Sequence, residues 1–254
     1  MARVTVISNQ KGGVGKTTTA HALAAGLTYR GYKVLAVDTD PQGNLSYTVG
    51  ADDQKSGIYE VLKEQAELLE VIQQTDQTDI IPSTLLLASA DLEFTDTGRE
   101  YLLNEALTPV KDKYDYIIID TPPTLGIITI NALTAADDVI IPMGADIYSL
   151  QGLSQLYNIT NRVKKYCNSE LHIVGLLITR FNGRSILSKE LKDIIGDKAK
   201  QINAALFDTV IREGVAIKES QTQQASIFKT SPKSNPAKDY SAFIDEYLKG
   251  GNLN

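Results

Sequence analysis

Cysteine occurs once in the 254 residues, and that scarcity is the first constraint. A lone Cys167 cannot form an internal disulfide, and one thiol cannot hold an iron–sulfur cluster or a structural zinc within a single chain. Histidine is nearly as scarce. His21 falls early in the first expected helix and His172 opens an apolar run, and neither has a Ser, Cys or metal-ligand partner at a recognisable spacing, so both read as structural. No stretch approaches the roughly 18 consecutive apolar residues of a membrane span. Met1-Ala2-Arg3 leads into Val4–Ile7 with no secretory cleavage pattern. The expectation is a cytoplasmic protein in a reducing setting, without metal redox chemistry or a membrane segment.

Apolar residues make up 43% of the chain, enough for the core of one domain spanning residues 1–254. The formal net charge of −6 conceals an asymmetry. Residues 1–150 carry 10 Lys/Arg against 21 Asp/Glu, a net of −11, whereas residues 151–254 carry 15 against 10, a net of +5. A basic C-terminal part on an acidic protein is the electrostatic footprint of polyanion binding. Lysines that merely solvate helix faces would give the same count.

Apolar runs of strand length alternate with longer helical patterns. Arg3–Ser8, Lys33–Asp38, Thr78–Ile81, Tyr114–Asp120, Asp138–Pro142, His172–Ile178 and Asp208–Ile211 read as strands, most of them continuous Val/Ile/Leu runs of the kind buried on both faces. Helical patterns fall near 16–30, 56–74, 85–107, 126–136, 149–167, 185–204, 214–224 and 237–248. Ser220–Ala225 and Thr230–Pro236 read as surface loops. The alternation predicts an α/β fold, a doubly wound, mostly parallel sheet with helices on both faces. Ligands of such sheets bind along the rim formed by the carboxyl ends of the strands, so functional motifs should follow strands.

One does so at once. After the first strand, Gln10-Lys11-Gly12-Gly13-Val14-Gly15-Lys16-Thr17-Thr18 opens an Ala/Leu-rich helix. Glycines let the backbone turn tightly so that several N–H groups face one anion, and the helix N-terminus adds its dipole. Lys16 would reach the β- and γ-phosphates of a nucleotide, and Thr17 would ligate Mg²⁺. The usual G-x-x-x-x-G-K-[ST] spacing would place glycine at position 10; Gln10 stands there, and a second lysine, Lys11, opens the loop instead. Two acidic loops follow later strands: Asp38-Thr39-Asp40-Pro41-Gln42-Gly43-Asn44 and Asp120-Thr121-Pro122-Pro123. Asp120 ends a run of three isoleucines, so its carboxylate should emerge at the rim and hold Mg²⁺ through water, the Walker B role. Asp38 is expected in the metal shell and Asp40 to position the attacking water.

At these residues the sequence resembles the ParA/MinD family of deviant Walker A P-loop ATPases, and within it the short, Soj-like form of the ParA chromosome- and plasmid-partition proteins. Lys11–Thr18 matches the family's signature-lysine loop and Asp38–Asn44 its second motif. Asp120–Gly126, Asn131–Asp137 and Ser149–Leu153 are similar to its switch region and the helix that follows. The resemblance implies ATP and Mg²⁺ as cofactors and an ATP-dependent homodimer, with Lys11 crossing to the partner's phosphates and Gly12 at the contact. It also implies Asn182 against the adenine, and a centromere-binding, ParB-like adaptor that stimulates hydrolysis. Non-specific DNA binding would place the protein on the nucleoid. Ser231–Tyr240 resembles the family's C-terminal segment, with Lys233 as the leading phosphate contact beside Lys229 and Lys238, supported by Arg212, Lys218, Lys189 and Lys192.

Rival readings remain. A MinD-like membrane-cycling ATPase would need a basic amphipathic C-terminal helix, but Tyr240–Lys249 carries Asp245 and Glu246 and leads into Gly250-Gly251-Asn252. A nitrogenase-reductase-like enzyme would need cluster cysteines. An ATPase that positions a protein organelle or other cargo, or a metabolic kinase or ligase of the same superfamily, stays open.

Overall fold

The continuous apolar runs form the inner strands of an eight-stranded sheet. The computed structural model describes residues 1–183 and 185–250, apart from the side chains of Ile147, Tyr148, Ile186, Leu187 and Lys189. Gly251, Asn252 and the Lys189 side chain therefore lie outside the described part. In chain order the strands are β1 (Arg3–Ile7), β2 (Val34–Asp38), β3 (Gln73–Gln74), β4 (Asp79–Ile81), β5 (Tyr116–Asp120), β6 (Asp138–Gly144), β7 (His172–Phe181) and β8 (Ala205–Arg212). They lie in the order β3-β4-β2-β5-β1-β6-β7-β8. Every pairing is parallel except β3 with β4.

Alternate residues of each inner strand face opposite sides. Val4, Val6, Leu35, Val37, Ile117 and Ile119 point to one core, under the helices Ile127–Ala135, Ile147–Tyr166 and Ile186–Gln201. Ile7, Val34, Ala36 and Ile118 point to the other, under Lys16–Tyr29 and Asn235–Gly250. The Lys16–Tyr29 helix is buried on nearly all sides because it lies between the sheet and the C-terminal helix. Gly26 permits that approach: a Cβ there would run into Ile244 and the Phe228 ring. The C-terminal helix turns Ala237, Tyr240, Phe243, Ile244 and Tyr247 inward, the i, i+3, i+4, i+7 stripe of a helix packed on one side.

The expected architecture holds, and the departures are local. The pattern over 85–107 is broken into a 3₁₀ turn (Leu85–Ser89) and two short helices (Ala90–Glu93, Leu102–Leu107), with Gly98 at φ 88° turning the chain between them. The pattern over 56–74 divides into Ile58–Leu62 and Leu68–Val71, separated at Glu64, itself left-handed at φ 56°. A short helix, Asn44–Val49, stands between two left-handed glycines, Gly43 and Gly50, and was hidden in turn-like sequence. Part of the expected loop at 220–225 is helix instead, since Val215–Thr222 runs into it.

Candidate functional site

Three strand ends meet at the centre of the rim. β1 runs into the glycine loop, and Asp38 and Asp120 stand opposite each other in register on β2 and β5. In the loop, Gly13 (φ 73°) and Gly15 (φ 84°) take left-handed conformations that a side chain disfavours. Gly15 is the N-cap of the Lys16–Tyr29 helix and brings no side chain to its first turn, which leaves the first-turn amides to a ligand. Asn9 shapes the entrance: its Nδ2 donates to Pro142 O at 2.7 Å and its Oδ1 accepts from the Lys11 amide at 2.9 Å. Lys16 is 7% exposed, and its ammonium donates back to Lys11 O at 3.2 Å. A cavity of about 850 Å³ opens over Gly12, Gly13 and Gly15–Thr18, and Asp40, Pro123, Arg180, Arg212 and Glu213 also line it.

The carboxylates have different surroundings. Asp38 is fully buried and committed: one oxygen accepts from Ser46 N–H (2.8 Å) and Ser46 Oγ (2.7 Å), the other from the Asp40 amide (3.1 Å). It fastens the Asp40 loop to the Asn44–Val49 helix and presents no oxygen without a partner. Asp120 is equally buried, and although the Thr17 hydroxyl lies close enough to lower its pKa, neither of its oxygens makes a hydrogen bond of normal geometry; among the described residues it is the single buried carboxylate in that condition. An orphaned buried carboxylate beside a threonine and a phosphate loop suits a magnesium ion that takes its remaining ligands from phosphate and water. Among the described residues no cluster of three or more His, Cys, Asp or Glu side chains is arranged to hold a metal by itself. Asp40 lines the cavity and uses one oxygen to accept from the Gln42 amide at 3.0 Å.

Burial and mutual repulsion set the protonation of this group. Desolvation lowers the Lys16 ammonium, opposed by Asp120 and Asp40. Desolvation pushes Asp38 up to about 6 despite its bonds from Ser46, and drives Asp120 well above the ordinary carboxyl value of 3.8, with Asp38 adding repulsion. A carboxyl whose pKa is higher folded than unfolded binds more protons in the folded state, so it lowers stability as pH rises above its unfolded value. In nucleotide-free protein Asp120→Asn should therefore be stabilising at pH 7.5, by about 1–3 kcal/mol. The gain should shrink toward the ordinary carboxyl pKa of 3.8, where the wild-type group is protonated too. Urea melts of both proteins across pH 4–8 measure the difference; a constant gap would mean that folding does not raise the Asp120 pKa.

The other marked residues fall into place around this centre. Lys11 at the loop's outer lip pairs with Asp146 and lies 3.5 Å from Ser149 Oγ. Val14 is buried, and its carbonyl accepts from Thr179 Oγ1 at 2.7 Å. Asn182 lines an adjoining cavity with Phe181, Glu213 and Lys218. Lys233 and Lys238 are exposed on the C-terminal segment. Lys229 is exposed but ion-paired to Asp76 at 2.7 Å. Arg212 is clamped to Asp239 by two bonds of 2.6 and 2.8 Å, and Lys218 faces the nucleotide cavity. His21 is buried against Gln77 Oε1 at 2.8 Å, its pKa lowered by burial, as a structural histidine would be. Asn9, Asp146, Arg180 and Glu213 carry no sequence signal of their own; only the fold brings them to the loop.

The first two-thirds of the chain, residues 2–173, match the AAA domain model. The chain is 41% identical to the sporulation initiation inhibitor protein Soj of Bacillus subtilis, over 99% of this chain and 100% of Soj. A plasmid partition protein from Borrelia burgdorferi, solved with AMPPNP, superposes with a TM-score of 0.84 at 30% identity, covering 98% of this chain and 99% of that one. A Mycobacterium smegmatis protein described as cobyrinic acid a,c-diamide synthase, with bound ADP and magnesium, superposes with a TM-score of 0.83 at 32% identity, covering 100% and 96%. ATP and Mg²⁺ are accordingly the cofactors of this cradle. A match of this breadth in sequence and in fold means that the chain belongs to the ParA family of P-loop partition ATPases, within the larger AAA-domain group.

Proposed function

We propose that the protein is an ATP-driven DNA-segregation switch: ATP closes two subunits, the dimer holds DNA without reading sequence, and hydrolysis stimulated by a ParB-like, centromere-binding adaptor releases it on the nucleoid. The observation that carries this reading is the phosphate cradle, with buried Lys16 fixed on the loop's Lys11 carbonyl and a buried Asp120, without a hydrogen bond of full geometry, close to Lys16 and Thr17. Bound Mg²⁺ supplies charge neutralisation at the phosphates, and Thr17 and Asp120 would hold it. Lys16 holds the β/γ-phosphate charge, and Asp40 orients water. Lys11 stabilises charge that develops in phosphoryl transfer by reaching across to the partner subunit. Its ammonium already lies at the open lip of the loop rather than over its own phosphate site, which suits a group that serves the other subunit.

DNA binding falls to the C-terminal basic block, where exposed Lys233 and Lys238 offer phosphate contacts and Lys229 must first leave Asp76. A membrane-cycling role fits poorly. The C-terminal helix spends its apolar face on the core, and among the described residues no helix is long and apolar enough to cross a membrane.

Gly12 provides the test. A Cβ built there meets nothing within 4 Å, so the single subunit has room for a side chain. Gly12→Val should fold normally and keep ATP affinity within about threefold, a change of less than 1 kcal/mol. It should fail to form the ATP-dependent dimer on gel filtration and lose binding to unrelated DNA duplexes, because one subunit displays half of the cationic surface. A normal ATP dimer in this variant would remove Gly12 from the subunit contact.

A further inference from the structure

β7 and β8 fall out of step at their rim ends. Ile178 pairs with Val210 and Phe181 with Arg212, so three steps on β7 oppose two on β8, and the extra residue is a bulge. Within it Arg180 takes φ 53°, a left-handed conformation that costs any residue with a Cβ. The bulge aims the guanidinium across the rim, where it donates to Gly13 O at 3.3 Å and to Glu213 Oε1 at 3.3 Å. The preceding residue does the same to the next peptide: Thr179 Oγ1 donates to Val14 O at 2.7 Å. Two consecutive carbonyls of the phosphate loop are thus tied to the end of one strand.

In a trans peptide the C=O and the following N–H point in opposite directions. Tying Gly13 O and Val14 O to β7 therefore turns the Val14 and Gly15 amides away from β7, as a loop that cradles phosphate with its N–H groups requires. We propose that Arg180 is a positioning residue for the phosphate loop: by holding the Gly13 carbonyl, and being held by Glu213, it presets the Val14 amide for the diphosphate common to ATP and ADP. The strained backbone at position 180 is what places the guanidinium there. This inference rests on the nucleotide reading of the site.

Glycine is at ease at φ 53°, so Arg180→Gly removes the guanidinium while relieving the strain, and Arg180→Ala removes it without relief. Calorimetric titration of wild type and variants with ATP and with ADP tests the proposal. Both variants should bind both nucleotides roughly threefold to tenfold more weakly, the range for one ordinary hydrogen bond, since this one is exposed to solvent and long at 3.3 Å. Arg180→Lys, which can reach one of the two acceptors, should recover part of the loss. Arg180→Gly should melt no lower than wild type, and amide exchange in the nucleotide-free peptide 10–16 should quicken. Unchanged affinity would overturn the proposal. So would a loss confined to ATP, which would mean a direct contact to the γ-phosphate or to the partner subunit. A wild type that bound neither nucleotide would instead overturn the underlying reading of the site.

Discussion

Lys16→Ala is expected to weaken ATP binding by about two to three orders of magnitude, the cost of roughly 3–4 kcal/mol for removing one member of a buried charge interaction. The ammonium is 7% exposed and already fixed on Lys11 O, so little ordering is left to be done when phosphate arrives. Its absence also has a second consequence. Asp38 and Asp40 both repel the Asp120 carboxylate, and Lys16 is the cation that opposes its upward shift. Without it a polyphosphate would approach three carboxyl groups and no buried cation. Arginine should not rescue: the planar guanidinium is larger than the ammonium that this enclosed site accommodates. Titration with ATP, alongside circular dichroism to show an intact fold, measures the effect. Affinity within threefold of wild type would sink the phosphate-loop assignment.

The parts of this molecule legible in its sequence are those whose physics is local. Ile117-Ile118-Ile119 can only be a strand covered on both faces, and glycines at 12, 13 and 15 followed by Lys-Thr can be read as a phosphate turn because the spacing itself makes the cradle. Whether a carboxylate is spent or available is not local. Asp38 and Asp120 look alike at the ends of two apolar runs, yet Ser46, eight residues on, consumes the first, while the second has only the Thr17 hydroxyl of the phosphate loop nearby and no hydrogen bond of full geometry. The same holds for charge. The basic C-terminal count is genuine, but Arg212 is clamped to Asp239 and Lys229 to Asp76, pairings set by how the last helices dock. The 85–107 pattern failed for a related reason. Its leucines keep helical spacing, while Gly98 and the contact of Asp91 with the Ile127 amide, at 2.6 Å, fold the segment around the start of the next helix.

Asp40→Ala is expected to bind ATP within a few-fold of wild type and to hydrolyse it roughly a hundredfold or more slowly, the range for loss of a group that acts on a proton or water in the transition state. Asp40 lines the cavity, and its hydrogen bonds run to Asp38, Gln42 and Gly43 rather than to the glycine loop, which is why ground-state binding should be spared. Its local structural task is modest, a single bond from the Gln42 amide, while Asp38 independently fastens the same loop to Ser46. The loop should therefore keep its course in the variant. Asp40→Asn, which retains an oxygen for Gln42 and for water but has no charge, should fall between alanine and wild type. With hydrolysis blocked and ATP retained, the dimer should persist on gel filtration and remain on DNA after wild type has dissociated. The decisive measurement is single-turnover hydrolysis at saturating ATP, which isolates chemistry from product release. Wild-type turnover in Asp40→Ala would transfer water positioning to another group at the rim; slow turnover with equally weakened ATP binding would mean that Asp40 builds the site rather than acts in it.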